Sequence, residues 1–327
     1  MIGLLIKSSL LIAVLWGFYR VILARESFFA ANRWYLVLSL GLVFMLPFVS
    51  FPSLIDQQGM MSRWIEGEKM VQVQEPQVVA APNLSVVPDL SQDIIEEDTS
   101  SEAVIPMPSP TVTPSTPDST GKGWVYWLIR LYLFGVVIFS LNLLTQIGGI
   151  IWKIIRNKDR IKSPHYTLIN LPQPSEPCSF FRYIFIHPDS YDFETYEQII
   201  AHEAIHVRKW HTLDLLLAEV VAIVLWFHPL AWIYRREVEQ NIEYQTDELL
   251  VKKENVEKSQ YQMNLLKVAT YRQPLAITTN YNQSLIKKRI LRMSAKKSNP
   301  HNFWKYTFLL PVLFMTILFM NKPYISV

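Results

Sequence analysis

A single cysteine, Cys178, stands in the 327 residues of this chain, which excludes an internal disulfide and any fold stapled by bridges. One thiol fits a reducing, cytoplasmic setting for the segment that carries it, and Cys178 reads as a packing residue. A strong charge of one sign is also lacking. The formal balance is only +3, and the lysines and arginines behind it cluster beside apolar runs, so they report membrane topology and give no sign of direct nucleic-acid binding. No small-residue cleavage site follows the first apolar run, which opposes a removable signal peptide. Apolar residues are what the chain has in plenty: they make up 50% of it, rich for a soluble protein.

That apolarity is clustered. Ile2 to Leu23, Trp34 to about Phe51, Trp124 to Ile151 and Phe303 to Met320 each approach or exceed the roughly 20 residues that cross a bilayer. The resulting expectation is two spans within 1–51, a loop over 52–123, a third span over 124–152, a large domain over 153–302, a fourth span over 303–320 and a short tail over 321–327. Arg20, Arg25 and Arg33 mark the first turn, Lys153 to Lys162 follow the third span, and Lys287 to Lys297 precede the fourth. The positive-inside rule then puts both termini and the 52–123 loop outside and the 153–302 domain in the cytoplasm, in a multi-pass cell (inner) membrane protein. The loop itself, with prolines at 76, 82, 88, 106, 108, 110, 114 and 117 and acidic and hydroxyl residues between them, reads as a disordered outer tether.

Chemistry concentrates at His202-Glu203-Ala204-Ile205-His206, an HExxH motif. On a helix, positions four apart stack on one face, so two imidazoles can share a Zn²⁺ with Glu203 beside it. Neutral imidazoles hold zinc with a position left open, the metal acidifies a water, and a carboxylate takes its proton during attack on a carbonyl. Asp192 or Thr195, with Gln198 three residues after Thr195, supplies a helix start. Before this helix, Tyr166 to Asn170 and Phe180 to Ile186 read as strands in a plausible hairpin, with an edge on which an extended substrate could dock.

Two histidines leave the ligand set short. The next carboxylate pair at helical spacing, Glu243 and Asp247, lies beyond the apolar stretch Thr212 to Trp232. If that stretch crossed the membrane, Glu243 would end some 30 Å from His202. A turn at Phe227-His228-Pro229 resolves this, since 211–226 and 230–243 are arms of similar length. Glu243 then returns as third ligand, and Asp247 becomes the acceptor that orients a ligating imidazole. His211 leaves the shared helical face and His228 sits at a turn, so both are weaker ligands.

These residues resemble the integral-membrane zinc metallopeptidases typified by the BlaR/MecR antirepressor receptors. The likeness rests on the HExxH run, His211 to Asp214, Trp226 to Trp232, Glu243 to Asp247, Ser284 to Ile290 and Phe28 to Tyr35, with His228 where the family usually has Asn. The resemblance implies a mainly α, polytopic membrane protein: four transmembrane helices and a zincin-like α+β cytoplasmic peptidase domain. His202, His206 and Glu243 would be ligands and Glu203 the general base. It also implies a protein substrate, a cytoplasmic winged-helix transcriptional repressor or the chain itself, and admits a homodimer. Only Asn321 to Val327 follow the fourth span, so the carboxy-terminal β-lactam sensor of those receptors is expected to be missing. Ser284-Leu-Ile-Lys287 spells S-x-x-K without a K-T-G partner. Two rival readings remain: a signalling or assembly scaffold with a structural zinc, and a site-2-like protease, which would usually draw an aspartate from a distant span.

Overall fold

The computed structural model describes residues 2–48, 123–253, 256–270 and 279–320. The 52–123 loop, Gly123 apart, and the 321–327 tail lie outside the described residues. Those described are mainly helical with one small sheet. Helix α1 (Ile2–Phe18) runs on into a π-helical segment, Tyr19–Leu23, and α2 (Phe29–Met45) turns back beside it. Helix α3 (Gly123–Arg156) is the longest. Among the described residues two helices are long and apolar enough to cross a membrane, Gly3–Leu23 and Trp124–Arg156, while Phe29–Met45 is apolar but shorter.

The sheet departs from the expected hairpin. Strands β1 (Arg160–Lys162), β2 (Thr167–Asn170), β3 (Cys178–Phe180) and β4 (Tyr183–Ile186) lie in the order β1-β2-β4-β3, with β2 and β4 parallel. The aromatic run 180–186 is itself split, because Phe181 adopts a left-handed backbone (φ 50°) and turns β3 back onto β4. Alternation along the strands then serves two cores. Leu168, Ile184 and Ile186 face the HExxH helix, whereas Ile169 and Phe185 pack on Ile150 and Ile154 of α3. Cys178 is exposed on the edge strand, so it is not the packing residue expected.

Helix α4 (Phe193–Lys209) carries the HExxH run. Asp192 caps it, accepting from the Thr195 backbone at 2.8 Å, and Arg208 and Lys209 sit where the helix dipole favours cations. Trp210 ends the helix in a left-handed conformation (φ 57°) that a non-glycine residue adopts only at a cost. The apolar stretch beyond is divided into α5 (His211–Val224) and α6 (Pro229–Lys253). Glu219 meets Arg235 and His211 meets Gln245, pairs whose midpoints fall at one turn, so the arms are antiparallel. Helices α7 (Lys258–Thr270) and α8 (Thr279–Ser294) follow. The last expected span is not one α-helix. Pro300–Phe308 winds as a 3-10 helix whose Asn302 and Lys305 reach Glu26 and whose Tyr306 donates to Asn32, and only Leu309–Met320 (α9) is α-helical.

One core joins α1 and α2 to the α5–α6 hairpin: Leu11, Leu15, Leu36 and Leu40 pack with Val221, Leu225, Tyr234 and Val238. Tyr35 and Asp214, both buried there, are paired: Tyr35 donates to the Leu15 carbonyl at 2.8 Å, and Arg33 bonds Asp214 at 2.6 Å. The hairpin tip is seated on α3. Trp226 donates to the Tyr132 carbonyl at 3.2 Å, Tyr132 donates to the Val224 carbonyl at 3.1 Å, and the Trp226 indole fills the space over Gly135. A methyl on Gly135 would overlap that ring. Gly135→Ala is therefore expected to cost about 1–3 kcal/mol through overpacking, read as a lowered thermal transition. Adding Trp226→Leu should recover part of it, and no change in the single variant would contradict the seating.

Candidate metal centre

The sheet takes one flank of α4 through Ile199, Ile200 and Ala204, and α6 and α7 take another through Ala201 and Ile205 with Leu250 and Tyr261. The remaining face carries His202, Glu203 and His206. Because α6 returns antiparallel to α5, it lays Glu243 across that face. His202 Nε2 and His206 Nε2 are 3.1 Å apart, and the two Glu243 oxygens lie 3.4 Å from His202 Nε2 and 3.5 Å from His206 Nε2. Donors on a tetrahedral ion with bonds of about 2.0–2.2 Å are separated by about 3.3–3.6 Å, so this trio could hold one divalent cation. Among the described residues it is the group of side chains so placed.

The rest of the site aims those donors. Tyr261 donates its hydroxyl proton to Asp247 Oδ1 at 2.7 Å and accepts from His202 Nδ1 at 2.9 Å. Asp247 is 3.8 Å from the ring, so the tyrosine stands between them. His206 Nδ1 lies 3.1 Å from His211 Nδ1, whose Nε2 faces Gln245 Oε1 at 3.4 Å. Burial, reinforced by His206 and Arg33, drives the His211 pKa down to about 2. His211 is thus neutral, and with its proton on Nε2 toward Gln245 its Nδ1 accepts from His206. Both chains leave protons on Nδ1 of the two motif histidines and lone pairs on their Nε2 atoms, the arrangement a metal needs.

Arg289 of α8 closes the site. It donates to Asp247 at 2.9 and 2.5 Å and pairs with Glu243 Oε2 at 2.9 Å. Burial alone would raise the Glu243 carboxyl, but Arg289 and then the imidazoles hold it well below its usual range. Burial likewise opposes charge on Arg289, yet Asp247 and Glu243 keep it firmly protonated. Burial lowers His206 outright. It pulls His202 the same way, but the Glu243 carboxylate prevails there and leaves that ring raised. Glu203 is half-buried and lines, with Glu176, Gln198, Glu239 and Asn264, a cavity of about 440 Å³ that also reaches His202 and Glu243. The edge strand β3 lies against α4 beside it.

Of the residues weighed as ligands or catalytic groups, His202, Glu203, His206, His211, Glu243 and Asp247 come together here, whereas His228 sits at the hairpin turn. Three partners were missed. His211 is no ligand, but the break at Trp210 interrupts the helical phase and swings it back onto His206. Arg289 reads in the sequence as one of the topological charges, and Tyr261 carries no signal beyond being a tyrosine one turn into a polar helix. Tyr261→Phe should leave the fold intact, since the ring stays, and lower metal affinity by roughly 10–100-fold. Competition with a metal indicator measures this, and unchanged affinity would show that the hydroxyl does not orient His202.

A family model described as BlaR1 peptidase M56 matches residues 1–293. No curated protein sequence matches the chain.

Proposed function

The chain belongs to the BlaR1 peptidase M56 family, and from that premise we propose that it is a membrane-embedded zinc endopeptidase of a signalling pathway, cutting a cytoplasmic protein. The observation that carries this is the convergence of His202 Nε2, His206 Nε2 and Glu243 at donor spacing, with both rings oriented from behind. These three residues would hold a zinc ion, which would supply a Lewis acid for a peptide carbonyl and lower the pKa of a water. Glu203, on the same helical face and lining the cavity, takes the proton of the attacking water and passes it to the amide nitrogen as the C–N bond breaks. Asp247 and Tyr261 keep His202 in its ligating tautomer. The substrate lies extended along β3, whose outer side has no partner strand among the described residues.

The membrane arrangement is four crossings, over 1–51 (two), 124–152 and 303–320, with both termini and the 52–123 loop outside and the zincin-like domain inside. The exposed aromatics Trp124, Trp127, Trp152 and Trp304 suit interfacial belts at the ends of these spans. The α5–α6 hairpin enters the bilayer from the cytoplasm and turns back. Its tip rests on Gly135, about 25 Å along α3 from Trp152 at 1.5 Å per residue, and its charges Asp214 and Glu219 are met by Arg33 and Arg235. The substrate proposed is a winged-helix repressor or the chain itself, which can act as a homodimer.

The purified full-length chain should carry one zinc per polypeptide and cleave peptides in a chelator-sensitive, zinc-restorable way. Chelator-resistant cleavage would remove the proposal.

A further inference from the structure

A second cavity, about 290 Å³, opens behind the site, between the α1–α2 turn, the end of α6, the start of α7 and the end of α8. Its walls are strongly basic. Lys252 is taken by Glu248 and Arg289 by Asp247, which leaves Lys258, Arg292, Lys296 and Lys297 with no carboxylate partner among the described residues. Lys258, Lys296 and Lys297 are exposed around its mouth and Arg292 is half-buried within it, so the four together set up a positive potential that favours an anion. Arg292 is held there by design of its surroundings. Its guanidinium donates to the Ala24, Arg25 and Glu26 carbonyls and lies over the Phe29 and Tyr244 rings, 5.2 and 5.9 Å from their centroids. Its Nε is buried with no hydrogen-bond partner among the described residues, a polar group of the kind that a bound acceptor would satisfy.

We propose that this cavity binds a phosphate-bearing anion. Planar guanidinium donors and point-charged ammonium groups together suit phosphate oxygens. The volume admits a phosphate with a small polar group attached. Two sources offer that chemistry. The α1–α2 turn lies between two apolar helices, so an anionic phospholipid headgroup can reach the cavity from the bilayer, and a soluble phosphate ester can reach it from the cytoplasm. The inference is independent of the peptidase reading: none of the four cations touches the candidate metal trio, although Arg289 and Tyr244 line both cavities.

The test uses the full-length chain in neutral detergent. One arm measures the thermal transition in inorganic phosphate against chloride of equal ionic strength, and the other measures retention of phosphatidylglycerol against phosphatidylcholine by native mass spectrometry. The combined variant Lys258→Gln, Lys296→Gln, Lys297→Gln removes three exposed charges and should weaken binding roughly tenfold or more. Selective retention of phosphatidylglycerol supports the proposal and assigns a headgroup; stabilisation by phosphate alone supports it and assigns a soluble anion. No binding by the wild type overturns it. Equal binding by the triple variant does so too, as does an equal loss in the control Lys287→Gln, Lys288→Gln, whose lysines lie outside the cavity walls and whose effect would report only diffuse charge.

Discussion

Glu203→Gln should lower peptide cleavage by roughly 10²–10⁴-fold, the usual contribution of a positioned general base, while metal content stays at the wild-type level. The two halves of that expectation have different origins. Metal is retained because the three donor atoms that converge belong to His202, His206 and Glu243, and because glutamine fills the space of glutamate. Cleavage is lost because an amide cannot take the proton of the attacking water. Zinc analysis beside a peptide-cleavage assay separates them. A scaffold with a structural metal would keep its signalling output with either residue at 203, and full cleavage by the glutamine variant would remove the proton-transfer role.

The second large effect is expected at Asp247→Ala. Asp247 has a side chain 1% exposed, accepts two hydrogen bonds from Arg289 and one from Tyr261, and so neutralises a guanidinium that is itself 14% exposed. Its removal leaves that cation with Glu243 alone and strands the Tyr261 hydroxyl. Breaking a buried ion pair from one side costs about 3–5 kcal/mol, and the surviving Arg289–Glu243 contact places this case near the lower end. Metal affinity should fall with it, by roughly 10–100-fold, because the support behind His202 is gone. Adding Arg289→Met should restore part of the stability, since the unpaired charge then disappears. Strictly additive losses in the double variant would show that the two side chains do not act as a pair.

Some of this site was legible before any coordinates. The HExxH run names its own face, and the demand for a third ligand, with matched arms on either side of a His-Pro turn, points to Glu243. Such inferences work because helical periodicity is local. What escaped depends on contacts that sequence spacing does not encode. His211 sits five places after His206, the wrong phase for one continuous helix, and only the left-handed Trp210 corrects it. Arg289 reads as one more lysine- or arginine-rich flank of a span, and its burial against Asp247 is set by the packing of α8 on α6. The strands were visible as aromatic and β-branched runs, but their parallel β2–β4 pairing was not, because alternation fixes faces and leaves partners open. Hydropathy likewise joined Phe303 to Met320, although polar contacts to Glu26 and Asn32 wind its first part as a 3-10 helix.

One cation shared by the His202 and His206 imidazoles and the Glu243 carboxylate is what the proposed chemistry requires. X-ray absorption at the zinc edge of the metal-loaded, full-length protein reads that shell directly. Two imidazole nitrogens at about 2.0–2.1 Å with oxygen completing the shell, and the loss of one oxygen scatterer or of the metal in Glu243→Ala, are the results expected. A sulfur ligand, a shell with fewer than two imidazoles, or an unaltered spectrum in Glu243→Ala would contradict it.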